Sequence, residues 1–223
     1  MNKIKYIAAV LIAIAGFGLQ QADAFTSDLK VGNTAISGFT GPYGTVTITL
    51  LISTTATVTF TSNTVAGNIY LFGAAQAVDL NVNATTFTVG PVTGTNAGTG
   101  FTPGPLTAKI GSQNVDGLGT FNLTIDSFDG FTHSSDTVTF TVTNTSVTPW
   151  VTANDVIINN SKGFDAAAHI FVTTSPANAS NSALATGFAG EGPQTNVPDG
   201  GTTVMLLGAA LGALGMARRF IMS

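Results

Sequence analysis

The densest group of potential metal ligands in the sequence lies in one short segment between two apolar runs. Asp126, Asp129 and Asp136 fall in this segment, and His133 lies between the last two. Loop carboxylates and main-chain carbonyls are the oxygen ligands that calcium prefers. The spacing differs from that of an EF-hand loop, which needs regularly placed acids and a final glutamate. The three aspartates are therefore candidate calcium ligands, and solvated turn acids are the simpler alternative.

A second acid and histidine pair is formed by Asp165 and His169, which are separated by three alanines. Residues four apart are neighbours on a helix, so this spacing predicts one helical turn over 163–169 and an aspartate-oriented base. The alternative is a capped turn with a histidine packed at the start of a strand. The sequence contains no Gly-x-Ser-x-Gly elbow, phosphate loop or Gly-x-Gly-x-x-Gly motif to complete a catalytic site. We therefore predict that the protein is not an enzyme.

Aromatic side chains that could stack on sugar rings are few. Trp150 is the only tryptophan, and Tyr43 and Tyr70 are the only tyrosines after residue 24. Flat apolar ring faces on an exposed β-surface suit carbohydrate stacking, so Trp150 and Tyr43 are the candidate ligand-binding residues. The alternative is that both rings pack in the core.

The charge balance excludes one large class of partner. Between residues 25 and 196 there are three basic and nine acidic residues, which gives a net charge of −6. A sparse acidic surface of this kind repels nucleic acid, so we predict no nucleic-acid partner. The chain contains no cysteine, so its stability must come from a packed core rather than from disulfides.

The dominant pattern of the chain is an alternation of apolar residues with threonine and other polar residues. It occurs in the segments 46–52, 56–60, 78–82, 121–125 and 138–142, and Phe87 and Val89 add a shorter case. Such alternation is typical of half-buried antiparallel strands. Turn-rich segments separate these runs at 38–44, 63–68, 90–104, 111–119 and 159–163. The pattern predicts an all-β fold, an antiparallel, jelly-roll-like β-sandwich, with an open barrel as the alternative.

Residues 1–24 have the features of a secretory signal peptide. Lys3 and Lys5 precede an apolar run over 7–19, and Ala22 and Ala24 provide a small-x-small cleavage site. We expect signal peptidase to cleave after Ala24, so that the mature chain begins at Phe25. The predicted β-sandwich domain then spans residues 25–174.

The end of the chain has three parts in a fixed order. A stretch of small polar residues over 175–196 predicts a flexible stalk. It is followed by the motif Val197, Pro198, Asp199, Gly200 and Gly201, an uncharged apolar run over 204–217, and the basic pair Arg218 and Arg219. The apolar run is close to the lower length limit for a transmembrane helix. The arginines fit the cytoplasmic side of the inner membrane, which places the main body outside it.

The order of motif, short apolar run and basic pair in residues 197–223 resembles the PEP-CTERM class of bacterial sorting signals, and most of all its Val-Pro-Asp-Ser-Gly variant. Gly200 stands where that variant has serine. The resemblance implies a transient anchor in the inner membrane of a Gram-negative cell and cleavage by an exosortase. It also implies delivery to the cell surface or to an extracellular exopolysaccharide matrix. We therefore predict an exported structural protein of the surface or biofilm matrix. The alternatives are a carbohydrate-binding module and a plain single-pass membrane-anchored β-domain.

Overall fold

The computed structural model describes residues 23–192, and these residues form two antiparallel β-sheets. In chain order the strands are β1 Asp23–Leu29, β2 Val31–Gly32, β3 Gly44–Ile52, β4 Thr55–Ser62, β5 Thr64–Val65, β6 Asn68–Phe72, β7 Val78–Leu80, β8 Phe87–Val89, β9 Thr93–Thr95, β10 Leu106–Val115, β11 Gly119–Ser127, β12 Thr137–Asn144, β13 Ala166–Thr174 and β14 Ala185–Gly190. Short 3₁₀ helices lie at Thr34–Ile36, Phe131–His133 and Ala153–Val156.

The strand order assigns each strand to one of the two sheets. The first sheet has the order β1-β3-β4-β12-β8, and β9 also pairs with β12. The second has the order β10-β11-β7-β13-β14-β2, and β6 pairs with both β13 and β5. Neighbouring strands are antiparallel throughout. The predicted all-β antiparallel class is confirmed.

The two sheets share one hydrophobic core. Ile48 and Phe60 contribute to it from the first sheet, and Leu80 and Ile170 contribute from the second. In β3, β4 and β12 the buried positions are mostly apolar and alternate with half-buried or exposed positions that are mostly threonine. β-Branched residues are favoured on a pleated surface, and burial of the alternate apolar residues holds these strands against the opposite sheet.

The helical turn predicted over 163–169 is wrong, because residues 166–174 form strand β13. This strand pairs with β6 and β7 on one side and with β14 on the other. Ala166 and Ala168 pack in the shared core, whereas Ala167 packs in a second cluster with Val115 and Phe121. The alanines suggest a helix by composition, but a position between paired strands overrides that weak preference.

The stalk predicted over 175–196 contains an unexpected strand. β14 occupies residues 185–190, pairs with both β13 and β2, and buries Gly187, Ala189 and Gly190. The folded body therefore extends past the predicted boundary at residue 174. The glycines and alanines of β14 leave room for neighbouring side chains. Phe164, for example, lies close to Gly190.

The turn predicted over 111–119 is also shorter in the structure. Strand β10 continues to Val115 and pairs with β11, with a shift in register between Ile110 and Gln113. A β-bulge of this kind allows the strand to continue through a residue with an irregular backbone conformation, such as Gly111, whose φ is 135°.

Both predicted terminal signals fall largely outside the described residues. Ala22, the motif of residues 197–201 and the pair Arg218 and Arg219 lie there, whereas Ala24 and Phe25 lie in β1. Within residues 23–192, no helix has the length and apolar character needed to cross a membrane. Phe25, the expected first residue of the mature chain, pairs with Ile48 and packs against the shared core.

Candidate functional site

The three candidate calcium ligands do not converge. The carboxylate of Asp126 forms an ion pair with Lys109. The carboxylate of Asp136 accepts a hydrogen bond from the Ala97 amide at 2.6 Å. Asp129 is exposed on a separate turn. Within residues 23–192, no group of three or more acid or histidine side chains is close enough to hold a metal ion. The geometry gives Asp126 and Asp136 structural partners instead of a common cation.

His169 is held by aromatic rings and not by Asp165. Its Nδ1 lies 3.1 Å from the Ala75 carbonyl oxygen, and its ring stacks between Phe171 and Phe188 at centroid distances of 5.4 and 4.5 Å. Burial lowers the pKa of His169, which favours the neutral ring. Four residues along a strand span about 13 Å. The predicted pair with Asp165 is therefore not formed.

Asp165 belongs instead to a buried pair of carboxyl groups with Glu191. Both residues are 4% exposed. Glu191 accepts hydrogen bonds from the Asp165 amide at 3.0 Å and from the Ser27 hydroxyl at 2.9 Å. Burial, together with the hydrogen bond and the charge of Glu191, raises the pKa of Asp165 to about 10. The pair links β1 to the start of β13 and the end of β14, a contact that no local sequence pattern signals.

Asp79 is a second buried acid that the sequence pattern misplaces. The alternation around β7 predicts a solvent-facing side chain, yet Asp79 is 1% exposed. Its Oδ1 accepts a hydrogen bond from the Thr124 hydroxyl at 2.5 Å, while Oδ2 has no partner among the described residues. Burial raises the pKa of Asp79 well above its usual range. Burial inside the second sheet therefore favours the protonated form of this carboxyl group.

The two candidate stacking residues are in the core. Trp150 is 3% exposed and Tyr43 is 4% exposed, so neither presents a ring face to solvent. The indole N–H of Trp150 donates to the Asn83 carbonyl oxygen at 2.8 Å. The Tyr43 hydroxyl donates to the Phe39 carbonyl oxygen at 2.8 Å, and its ring meets Tyr70 edge-on at 5.0 Å. The prediction of an exposed stacking platform is wrong. Both rings can be buried because the indole N–H and the phenol hydroxyl each have a hydrogen-bond acceptor inside the protein.

Trp150 nevertheless forms part of a groove of about 610 Å³. The groove lies between two loop segments, and its lining consists of Val82, Asn83, Ala84, Thr85, Ser146, Thr148, Pro149, Trp150, Val151, Asp155 and Ile158. A bridge between Val82 and Ile157 and a hydrogen bond from the Asn83 amide to the Val156 carbonyl at 2.8 Å hold the segments together. We call this concave surface the Trp150 groove.

Asp155 shapes one wall of the Trp150 groove. Its Oδ2 accepts hydrogen bonds from the amides of Val151 at 3.1 Å and Thr152 at 2.8 Å. In the reciprocal bond the Asp155 amide donates to the Thr152 side chain, and the two bonds form a capping box at the start of the 3₁₀ helix Ala153–Val156. The carboxylate therefore fixes the loop that carries Val151, and the groove is built from restrained segments.

Residues 196–220 match the VPDSG-CTERM motif. This stretch is a PEP-CTERM-like exosortase-sorting signal. The predicted resemblance is confirmed for the tail, and the match includes both Val197 and Arg219. The motif implies export and a sorting step at a C-terminal membrane anchor. Neither the curated proteins nor the solved structures contain a match to the chain.

Proposed function

We propose that this protein is a non-enzymatic structural component of the cell surface or of an exopolysaccharide matrix. It is exported, held transiently at the inner membrane and released by an exosortase that acts near residues 197–201. Its body is a rigid, jelly-roll-like β-sandwich that is displayed outside the cell.

The observation that carries this proposal is the sorting motif at residues 196–220, which directly follows the folded body. Only five residues, 191–195, separate the end of β14 from the matched region. Processing near the motif therefore leaves strands β2–β14 intact in the released product, together with β1 from Phe25 onward. The acidic composition of the body and its freedom from disulfides fit a protein that depends on its core for stability outside the cell.

The roles of the described polar groups also support a structural function. Asp126, Asp136 and Asp155 bind main-chain amides or a lysine, and His169 is stacked between two rings. These side chains are engaged in holding loops and sheets. A displayed β-domain needs such rigidity more than it needs reactive groups.

The proposal is tested by measuring the intact mass and the cellular location of the native protein. We expect a species that begins at Phe25, ends near Val197 and fractionates with the surface or matrix. A chain truncated after Asn196 provides the control, because it has the same body without the sorting signal.

One result would replace this proposal by another. A membrane-bound species that still carries Arg218 and Arg219 would identify a plain single-pass anchor. The exosortase step would then be abandoned, while the description of the β-domain would stand.

A further inference from the structure

We propose that the Trp150 groove binds a segment of a neutral polysaccharide. The inference rests on the proposed function, since it names the matrix component that the displayed body would contact. It differs from simple ring stacking on Trp150, because the tryptophan here forms a wall of a groove and not an exposed platform.

The apolar part of the groove is suited to the hydrocarbon faces of sugar rings. Val151 and Ile158 line the groove although they are 82% and 50% exposed, and Pro149 is exposed beside them. Trp150, which is 3% exposed, lines the same surface. A volume of about 610 Å³ lies in the range of small-molecule sites, which combine apolar walls with a few placed polar groups.

The polar part of the groove offers hydroxyl groups in place of charges. Thr85 and Thr148 are exposed, and neither side-chain hydroxyl has a hydrogen-bond partner among the described residues. Ser146 donates to the Asn144 side chain at 2.5 Å, which leaves its oxygen able to accept. A threonine hydroxyl both donates and accepts, so these groups can match the hydroxyls of a sugar.

The charge of the groove selects against anionic ligands. Among the described lining residues there is no lysine, arginine or histidine, and Asp155 is the only charged side chain. An anionic polymer would approach a carboxylate without any cation to offset the repulsion. A phosphate or sulfate group would meet the same obstacle. A neutral, hydroxyl-rich chain is the class of ligand that fits both the apolar and the polar part of the groove.

The test is a fluorescence titration of the full-length chain in detergent. Trp150 is the only tryptophan, so its emission reports on this groove alone. The probes are three neutral oligosaccharides, cellohexaose, maltohexaose and mannohexaose, and one anionic oligosaccharide, an alginate hexamer. We expect at least one neutral probe to shift the emission to saturation, and we expect the alginate hexamer to have no effect under the same conditions.

Two groove variants and one matched control locate the binding. Thr85→Val and Thr148→Val each remove one hydroxyl and should weaken binding of the active probe roughly three- to tenfold. Thr139→Val removes a half-buried hydroxyl from the first sheet and should leave binding unchanged. Ile158→Arg, which places a long charged side chain on the groove wall, should abolish binding while the thermal unfolding curve remains cooperative.

The outcomes separate this inference from the proposed function. No emission change with any neutral probe, or equal weakening by Thr139→Val and the groove variants, would overturn the groove assignment while exosortase processing could still be observed. An alginate response stronger than the neutral ones would overturn the charge argument. Saccharide binding by a chain that is never processed would support the groove and overturn the proposed exosortase step.

Discussion

Asp165 is a carboxyl group that the fold keeps protonated by burying it beside Glu191. Burial is the largest cause, and Glu191 adds a hydrogen bond and charge repulsion, so that the pKa rises from 3.8 to about 10. A raised pKa means that the folded state binds the proton more tightly than the unfolded state does. The contribution of this group to stability is therefore fully present below about pH 3.8 and is lost as the pH rises toward 10.

The variant Asp165→Asn should remove most of this pH dependence. The asparagine amide can still donate to Glu191, so we expect wild type and variant to have similar free energies of unfolding near pH 4. The variant should be the more stable of the two near pH 9. Urea unfolding at both pH values measures this, and Asp129→Asn at an exposed turn is the control. Parallel stability profiles for wild type and Asp165→Asn would contradict the assignment.

The buried carboxyl group of Asp79 depends on one hydroxyl donor, Thr124, which donates to its Oδ1. Thr124→Val removes that donor and leaves the buried carboxyl group without the 2.5 Å hydrogen bond. A buried polar atom that loses its partner costs about 1–3 kcal/mol of unfolding free energy. Thr57→Val is the matched control, because the half-buried Thr57 hydroxyl of β4 has no side-chain partner among the described residues, and it should change stability by no more than about 0.5 kcal/mol. Equal losses for the two valines would show that Thr124 does not support Asp79.

In strand β14, pairing with neighbouring strands outweighs an amino-acid composition that disfavours a strand. Alternation of apolar residues and threonine is sufficient to predict β3, β4 and β12, because each residue type fits its face of a half-buried strand. The segment 185–190 has no such alternation, and glycine and alanine disfavour strands. β13 and β2 impose the strand on this segment by pairing with it. Non-local partners of this kind cannot be read from a local pattern.

Close packing around Gly187 provides a test of β14. A Cβ atom at this position would lie 2.5 Å from the Asn33 Oδ1 and 2.9 Å from the Ile36 Cγ2. We expect Gly187→Ala to lower the unfolding free energy by about 1–3 kcal/mol through overpacking. Gly38→Ala, where no atom lies within 4 Å, is the control and should be nearly neutral. A flexible stalk at residues 175–196 would instead tolerate both substitutions in thermal unfolding.

The candidate site also combines features that a local sequence pattern can predict with features that depend on non-local contacts. Trp150 can be selected from the sequence, because it is the single tryptophan and follows a proline in a loop. Its burial and its hydrogen bond to Asn83 cannot be predicted from the sequence, since they depend on a contact between residues 67 positions apart in the chain. Val82 and Ile158 join the groove for the same non-local reason. The sequence therefore identifies one groove residue and misjudges how that residue would meet a ligand.

At the scale of the whole molecule, the body and the sorting signal carry separate information. The strands β1–β14 and the shared core are formed by residues that precede the matched motif at 196–220. A change in the motif should therefore affect processing without affecting the stability of the body.

The double variant Pro198→Ala/Asp199→Ala should block conversion of the precursor to the cleaved form, because it alters the residues at which the exosortase is expected to act. Arg218→Glu/Arg219→Glu should also reduce conversion, because it reverses the charge that favours the cytoplasmic side. Both variants should keep the wild-type unfolding temperature of the body. Intact mass, membrane fractionation and thermal unfolding measure the three quantities on the same samples. Normal conversion of both variants would exclude sorting through this tail, and a lowered unfolding temperature would show that the tail supports the fold.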